Sequence, residues 1–326
     1  MMVKDVLYGS NSIGEGVLVE LIRSKPIRRL RGTSQQGFPE RETVTKFKIY
    51  TRYEHSVGVM LLLRLLGASI EEQVAGLLHD VSHTAFSHVI DLVMGDPESE
   101  AYQDSVLPDY IKNSEVAGIL ARHGYDVERI SNLETGNNFG LLERKIPDLC
   151  ADRVDYSLRD GHYQFGMDTG YCIKHLAVRG NEMVFDSRNA ARAFGINYMR
   201  CQRTMWASTE ARLRYHFISR SLKEALGIGV LSFADLYKSE TYVISKLRRS
   251  RQKDVVSNIN RGLGRLRFVV GDGGNIQLLK KTRYVDPKFI ENGRIKRLSA
   301  VDSSFRRIME REKAGIGRPV VVRVLD

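Results

Sequence analysis

Residues 77–88 read Leu77-Leu78-His79-Asp80-Val81-Ser82-His83-Thr84-Ala85-Phe86-Ser87-His88, an apolar helical end that turns abruptly into histidine, aspartate and hydroxyl side chains. Just upstream, Ser69-Ile70-Glu71-Glu72 has the hydroxyl and third-position glutamate of a capping box, which predicts a helix opening there and running through Val74 and Leu78. Leucine-rich residues 53–66 predict the helix before it, and a short helix over 86–94 stops at Gly95-Asp96-Pro97. Further helices are expected over 17–31, 114–122, 141–159 and 190–226, so the core is read as all-α. The end of the chain reads differently. Residues 266–270 and 276–279, joined by Gly271-Asp272-Gly273-Gly274, are predicted to pair as a hairpin, and 319–325 is a β-branched run. The expected organisation is mostly α: a helical core over 1–226 and a small α+β appendage over 227–326.

The chemistry gathers on three of these helices. Four of the eight histidines, His55, His79, His83 and His88, fall within 34 positions. His79 and Asp80, at the polar end of one helix, offer an imidazole nitrogen and a carboxylate oxygen to one point. His55 begins another helix. Asp152, Tyr156 and Asp160 are spaced i, i+4, i+8 on a third, so they share a face. A mixed nitrogen and oxygen set suits one borderline divalent metal, Mn, Fe, Zn or Ni, and suits Mg less well.

Composition bounds the rest. The chain has 326 residues with 42% hydrophobic content, enough for a large globular core. Cys150, Cys172 and Cys201 form no CxxC pair, which argues for a reducing compartment. The start, MMVKDVLYGS, has no apolar leader, and the longest apolar run, 57–66, is short and holds Arg64. A cytoplasmic protein without membrane contact is therefore expected. Up to Ser239 there are 29 Lys/Arg against 30 Asp/Glu, but from Glu240 onward there are 21 against 9. The whole positive excess sits in the last quarter, which suits nucleic acid or nucleotide phosphates and equally suits a solvated basic face.

The ordered motifs Arg52-Tyr53-Glu54-His55-Ser56-Val57-Gly58, the run 77–88 and DRVDYSLRD at 152–160 resemble the HD-domain phosphohydrolase superfamily. The resemblance narrows to the branch of deoxynucleotide triphosphohydrolases related to bacterial dGTPases and the mammalian SAM- and HD-domain dNTPase. Arg29-Leu30-Arg31 and, more weakly, RYVDPKFI at 283–290 and RLSAV at 297–301 extend it. It implies an HD-domain helical core, a divalent metal held by His55, His79, Asp80 and Asp152, and hydrolysis of a dNTP to deoxynucleoside and triphosphate. It also implies that His83, His88 and Asp91 handle the phosphate and leaving oxygen, and that Arg52 and Arg153 bind phosphates. Tyr156 and Asp160 are then expected at the deoxyribose, Gln35 at the 3′ hydroxyl, and the protein in a homo-oligomer.

Three features depart from that pattern. Gln103 stands where relatives place a catalytic histidine, and glutamine transfers no proton. Arg23 and Arg28 replace groups that recognise a guanine nucleotide, and an arginine cannot accept from guanine N–H donors. Tyr198 replaces a triphosphate-binding arginine, for which Arg200 or Arg203 are the nearby substitutes. Three other readings compete. His79-Asp80-Val81-Ser82-His83 resembles the HExxH of zinc proteases, though it leaves His55 and Asp152 unexplained. A nuclease or cyclic-nucleotide phosphodiesterase, or a nucleic-acid-binding protein with a structural metal, also fits the basic tail.

Overall fold

The computed structural model describes residues 1–95, 101–133, 139–271, 273–279, 283–315 and 317–325. Asp96, Pro97 and Asp272, expected in turns, lie outside them. The chain opens with an antiparallel hairpin, β1 (Met2–Asp5) and β2 (Gly9–Ser12), in register Met2 to Ser12. Then come α1 (Gly16–Arg23), α2 (Lys25–Arg29), α3 (Arg52–Leu65), α4 (Ile70–Leu78), α5 (Val89–Met94), α6 (Tyr102–Lys112), α7 (Glu115–Arg122) and α8 (Val127–Ser131). Next are α9 (Ala151–Phe165), α10 (Thr169–Lys174), β3 (Leu176–Arg179), β4 (Glu182–Phe185), α11 (Arg188–Cys201), α12 (Thr209–Gly227), α13 (Glu240–Arg249) and α14 (Lys253–Leu263). The chain ends with β5 (Phe268–Val270), β6 (Ile276–Leu278), β7 (Lys288–Glu291), β8 (Arg294–Arg297), α15 (Leu298–Val301), α16 (Ser303–Lys313) and β9 (Val320–Val324). The fold is mostly α with small sheets, as the sequence predicts.

Helix α3 is the axis of the core. Thr51 caps it reciprocally: its hydroxyl accepts from Glu54 N, and the Glu54 carboxylate accepts from Thr51 N at 2.8 Å. Residues 55–63 are all buried, because α4 and α9 pack against it. A second apolar cluster lies under α5, α12, α13 and α14, around Phe86, Ile218, Leu247 and Ile259. The site described below lies between the two.

Several predicted elements are corrected. Ser69 caps α4 by accepting from Glu72 N, but Glu72 turns its carboxylate away to accept from Leu141 N and Leu142 N. That contact holds residues 141–150 off the helical path, so the helix predicted from 141 starts at Ala151. The helix expected from 86 starts at Val89, because Phe86 and Ser87 sit at φ 65° and 49°, a left-handed turn that excludes helix. The helix predicted over 17–31 breaks at Ser24, and the one over 190–226 is interrupted by a π turn at Gln202–Trp206 and recapped by Ser208. The predicted hairpin is also absent as such. β5 and β6 do not pair with each other; β9 inserts between them, antiparallel to both, with Val322 opposite Val270 and Ile276. A second sheet, in order β3-β4-β7-β8, joins Phe185 in parallel to Phe289 and so links residues on either side of position 227.

The left-handed turn at Phe86 is held by a distant acid. Glu240 Oε1 accepts from Phe86 N at 3.1 Å, Ser34 N at 3.0 Å and Ser34 Oγ at 2.7 Å. Burial raises the Glu240 carboxyl against those three donors, to about 7. Its folded pKa thus exceeds the ordinary 4.5, so its stabilising contribution is complete below pH 4.5 and is lost as pH rises through 7. The span is on the order of 3 kcal/mol. The Tm of the wild type is therefore expected to fall more steeply from pH 5 to pH 8 than that of Glu240→Gln, measured by calorimetry. Parallel profiles would show that Glu240 is already ionised in the folded state.

Candidate metal centre

Three helices deliver the polar cluster. α3 brings His55, the end of α4 brings His79 with Asp80 just after it, and α9 brings Asp152 in its first turn. The His55 Nε2 atom lies 2.9 Å from Asp152 Oδ1, and His79 Nε2 lies 3.5 Å from the same oxygen. Asp80 completes the ring, with Oδ1 3.6 Å from His79 Nε2 and Oδ2 3.7 Å from His55 Nε2. Two ligands each about 2.1 Å from one ion stand about 3.0 to 3.4 Å apart, so these spacings fit a shared cation.

The backs of the rings fix which nitrogen faces the centre. His79 Nδ1 lies 2.7 Å from the Gly76 carbonyl, which can only accept. Nδ1 therefore carries a hydrogen, and Nε2 is the nitrogen left to face the centre, offering a lone pair once an ion displaces its proton. That Nε2 is buried without a hydrogen-bond partner. His55 Nδ1 lies 2.8 Å from Asp155 Oδ1, which turns its Nε2 inward in the same way. Burial disfavours a charged His79, yet Asp80 and Asp152 outweigh burial and carry its pKa up to about 9. Burial raises Asp152 too, but the hydrogen bond from His55 and the nearby His79 imidazole take it well below the usual carboxylate range. His55, His79 and Asp152 form a group that could hold a divalent ion.

A cavity of about 630 Å³ opens over the cluster. Of the residues singled out in the sequence, Gln35, Arg52, His79, Asp80, His83, His88, Asp152, Arg153, Tyr156 and Asp160 line it; His55 and Asp91 lie behind the wall. Arg52 reaches Asp80 Oδ2 at 2.7 Å and Ser87 Oγ at 2.9 Å, and His83 Nε2 lies 3.2 Å from Asp80 Oδ1. Burial, then the Arg52 charge, pushes the His83 imidazole well below its ordinary pKa, so it is neutral. His88 stands edge-on to His83, its Nδ1 3.4 Å from Asp91 Oδ2. Arg153 turns to the Asp148 carbonyl at 2.7 Å, the Arg144 carbonyl and Cys150 Sγ. Tyr156 shares its hydroxyl with Tyr198 at 2.9 Å. Both Asp160 oxygens are taken, by Trp206 Nε1 at 2.7 Å and Gln36 Nε2 at 2.9 Å, and burial raises its pKa to about 7.

Residues 52–159 match the HD domain family. The uncharacterized protein YdhJ of Bacillus subtilis is 37% identical over 330 residues, covering 100% of this chain and 99% of that protein. A metal-dependent phosphohydrolase of Cordyceps militaris, cns2, is 41% identical over 160 residues, 49% of this chain and 45% of that protein. The chain belongs to the HD-domain phosphohydrolase superfamily. A phosphohydrolase structure from Bacteroides thetaiotaomicron has the same fold, with a TM-score of 0.69 at 18% identity over 99% of this chain and 98% of that one. Among the described residues, no helix is long and apolar enough to cross a membrane.

Sequence reasoning about this HD domain missed its supports. Gln103 lines the cavity: its Nε2 donates to the His79 carbonyl at 2.7 Å, which steadies the turn carrying His79 and Asp80, and its Oε1 is buried without a partner at the cavity wall. Asp155 and Arg159, four residues apart on α9, are buried side by side; an acid and arginine at i, i+4 inside an otherwise buried helix was the available signal. A second cluster of donor atoms, Glu143, Cys150 and Asp152, adjoins the first. Burial keeps its thiol protonated, and Arg153 Nη1 lies 3.1 Å from the sulfur, so this cluster already contains its own cation.

Proposed function

We propose that the protein is a metal-dependent phosphohydrolase of nucleotides, with dNTPs as the first substrates to test. The observation that carries this reading is the convergence of two imidazole Nε2 atoms on Asp152 at the floor of a cavity of about 630 Å³ with Arg52 on its wall. His55, His79, Asp80 and Asp152 would hold the ion. When bound there, a divalent cation supplies polarisation of a phosphoryl oxygen and activation of water near neutral pH. Arg52, fixed by Asp80 and Ser87, would face charge developing on the phosphoryl oxygens. Neutral His83 suits a hydrogen-bond acceptor, which leaves His88, backed by Asp91, to pass a proton to the leaving oxygen. Tyr156 and Trp206, edge to face with ring centroids 5.0 Å apart, offer an apolar wall for a sugar or base. Gln35 lines the same cavity, and copies of the chain are expected to assemble, as in the dNTPases it resembles.

A second reading, hydrolysis of a phosphodiester in nucleic acid, is favoured by one feature. Arg249, Arg251 and Lys253 are exposed on the turn between α13 and α14. That turn is tied to the loop lining the cavity by Arg248 to Glu42 at 2.8 Å and, through the end of α14, by Val44 N to the Leu263 carbonyl at 2.7 Å. The metal-loaded protein should be presented with dNTPs, NTPs, monophosphates and single-stranded DNA and RNA, and the products separated. Release of triphosphate with deoxynucleoside is the expected result. Shortened oligonucleotides, with turnover falling steeply as salt rises, would shift the assignment to the phosphodiester reading.

A further inference from the structure

We infer that the N-terminal hairpin is a working part of the metal centre, with Tyr8 acting as a positioning residue for His55; this rests on the metal reading above. Val3 is the buried residue of β1, and Leu7 and Tyr8 in the turn pack against the main core. Its turn is nonetheless organised around one acid: Asp5 Oδ1 accepts from Leu7 N at 2.8 Å and Tyr8 N at 3.1 Å. From that turn the Tyr8 hydroxyl reaches 147 positions along the chain and donates to Asp155 Oδ2 at 2.9 Å. The other Asp155 oxygen lies 2.8 Å from His55 Nδ1, and Arg159 closes the group with Nε on Oδ1 at 2.8 Å and Nη2 on Oδ2 at 3.1 Å. Arg159 Nη2 also donates to Asp5 Oδ2 at 2.7 Å, so the hairpin holds the group by two arms.

This geometry gives the hairpin a function that packing alone does not explain. Asp155 and Arg159 are fully buried, so each lone pair left without a donor carries a desolvation cost. Four donor contacts pin the carboxylate plane of Asp155, and that plane sets the tilt of the His55 ring. Without the phenol, Oδ2 answers to Arg159 alone, and the carboxylate can tilt toward the guanidinium and away from Nδ1. The imidazole then loses both its orientation and part of its basicity. Partners behind a ligating histidine are worth about 10- to 100-fold in metal affinity.

The test uses the full chain stripped with chelator and titrated with Co²⁺, followed by its visible spectrum and by competition with a fluorescent chelator. Tyr8→Phe keeps the ring and removes the donor. It is expected to bind Co²⁺ about 10-fold more weakly and with altered band intensities, while its metal-free Tm falls by no more than about 2 °C. Unchanged affinity and spectrum would overturn the inference, as would a fall in metal-free Tm with Co²⁺ binding intact. If Tyr8→Phe does not fold, Asp5→Asn, which slackens the Arg159 arm, must show the same direction of change. A wild type that binds no Co²⁺ would sink the metal reading itself; a wild type that binds, with Tyr8→Phe its equal, would sink only this one.

Discussion

His79→Ala is expected to remove the bound divalent ion and to lower phosphate-ester turnover by at least about 10³-fold, the scale of losing a group that both organises and polarises the reacting centre. The size follows from what His79 does. Its Nδ1 is spent on the Gly76 carbonyl, so Nε2 has no use within the protein except toward the centre, where it is buried and without a hydrogen bond. Truncation leaves Asp80 and Asp152 with a single imidazole, and losing one of the two nitrogen donors weakens the site most for a borderline divalent ion. Metal content by elemental analysis after gel filtration checks this directly. Stability offers a second readout. At an ion concentration 100 times its Kd, binding adds about 2.7 kcal/mol to the wild type, seen as a rise in Tm, and the variant should show no such rise. Stoichiometric metal retained by His79→Ala would remove His79 from the ligand set.

The candidate ligands are legible in the sequence because they lie in short ordered motifs close to helix ends. Thr51 and Ser69 are cap residues at the starts of α3 and α4, and the position of a cap decides where His55 and His79 fall on their helices. Residues whose roles depend on distant partners are not legible in this way. Glu72 has the spacing of a capping-box acid, but a pair of amides 69 and 70 positions away draws its carboxylate off. Strands β5 and β6 have the lengths and the glycine turn of a hairpin, and only a third strand from the end of the chain, fitting between them, changes the pairing. The same limit applies at the centre. Arg153 carries the charge expected of a phosphate ligand, yet backbone carbonyls of the non-helical segment before α9 take its guanidinium. Tyr8 has no motif around it at all. Local spacing reveals which atoms a helix presents; it does not reveal which remote group takes them first.

Gly58→Ala should be among the most damaging single changes available in this chain, although helix propensity alone would favour it by about 1 kcal/mol. Gly58 lies on α3 one turn beyond His55, where α9 comes closest. A methyl group there would sit 1.9 Å from Arg159 Nη2 and 2.3 Å from Asp155 Oδ2. Neither side chain is free to yield, since Arg159 is held by Asp5 and Asp155 and the Asp155 carboxylate is held by His55 and Tyr8. Either the helices separate or the buried ion pair breaks, and breaking such a pair costs about 3 to 5 kcal/mol. The loss exceeds the propensity gain, so a net destabilisation of about 2 to 4 kcal/mol is expected. The damage should not stop at stability, because displacing Asp155 releases the back of the His55 ring, so metal affinity should fall with the Tm. Gly118→Ala in α7 is the matched control: it is exposed, and its nearest neighbour, Arg122 Nη1 at 3.4 Å, is in ordinary contact. That variant should be neutral or slightly more stable and bind metal as the wild type does. Equal thermal profiles for the two alanine variants would mean that α3 and α9 do not meet at Gly58 as closely as described.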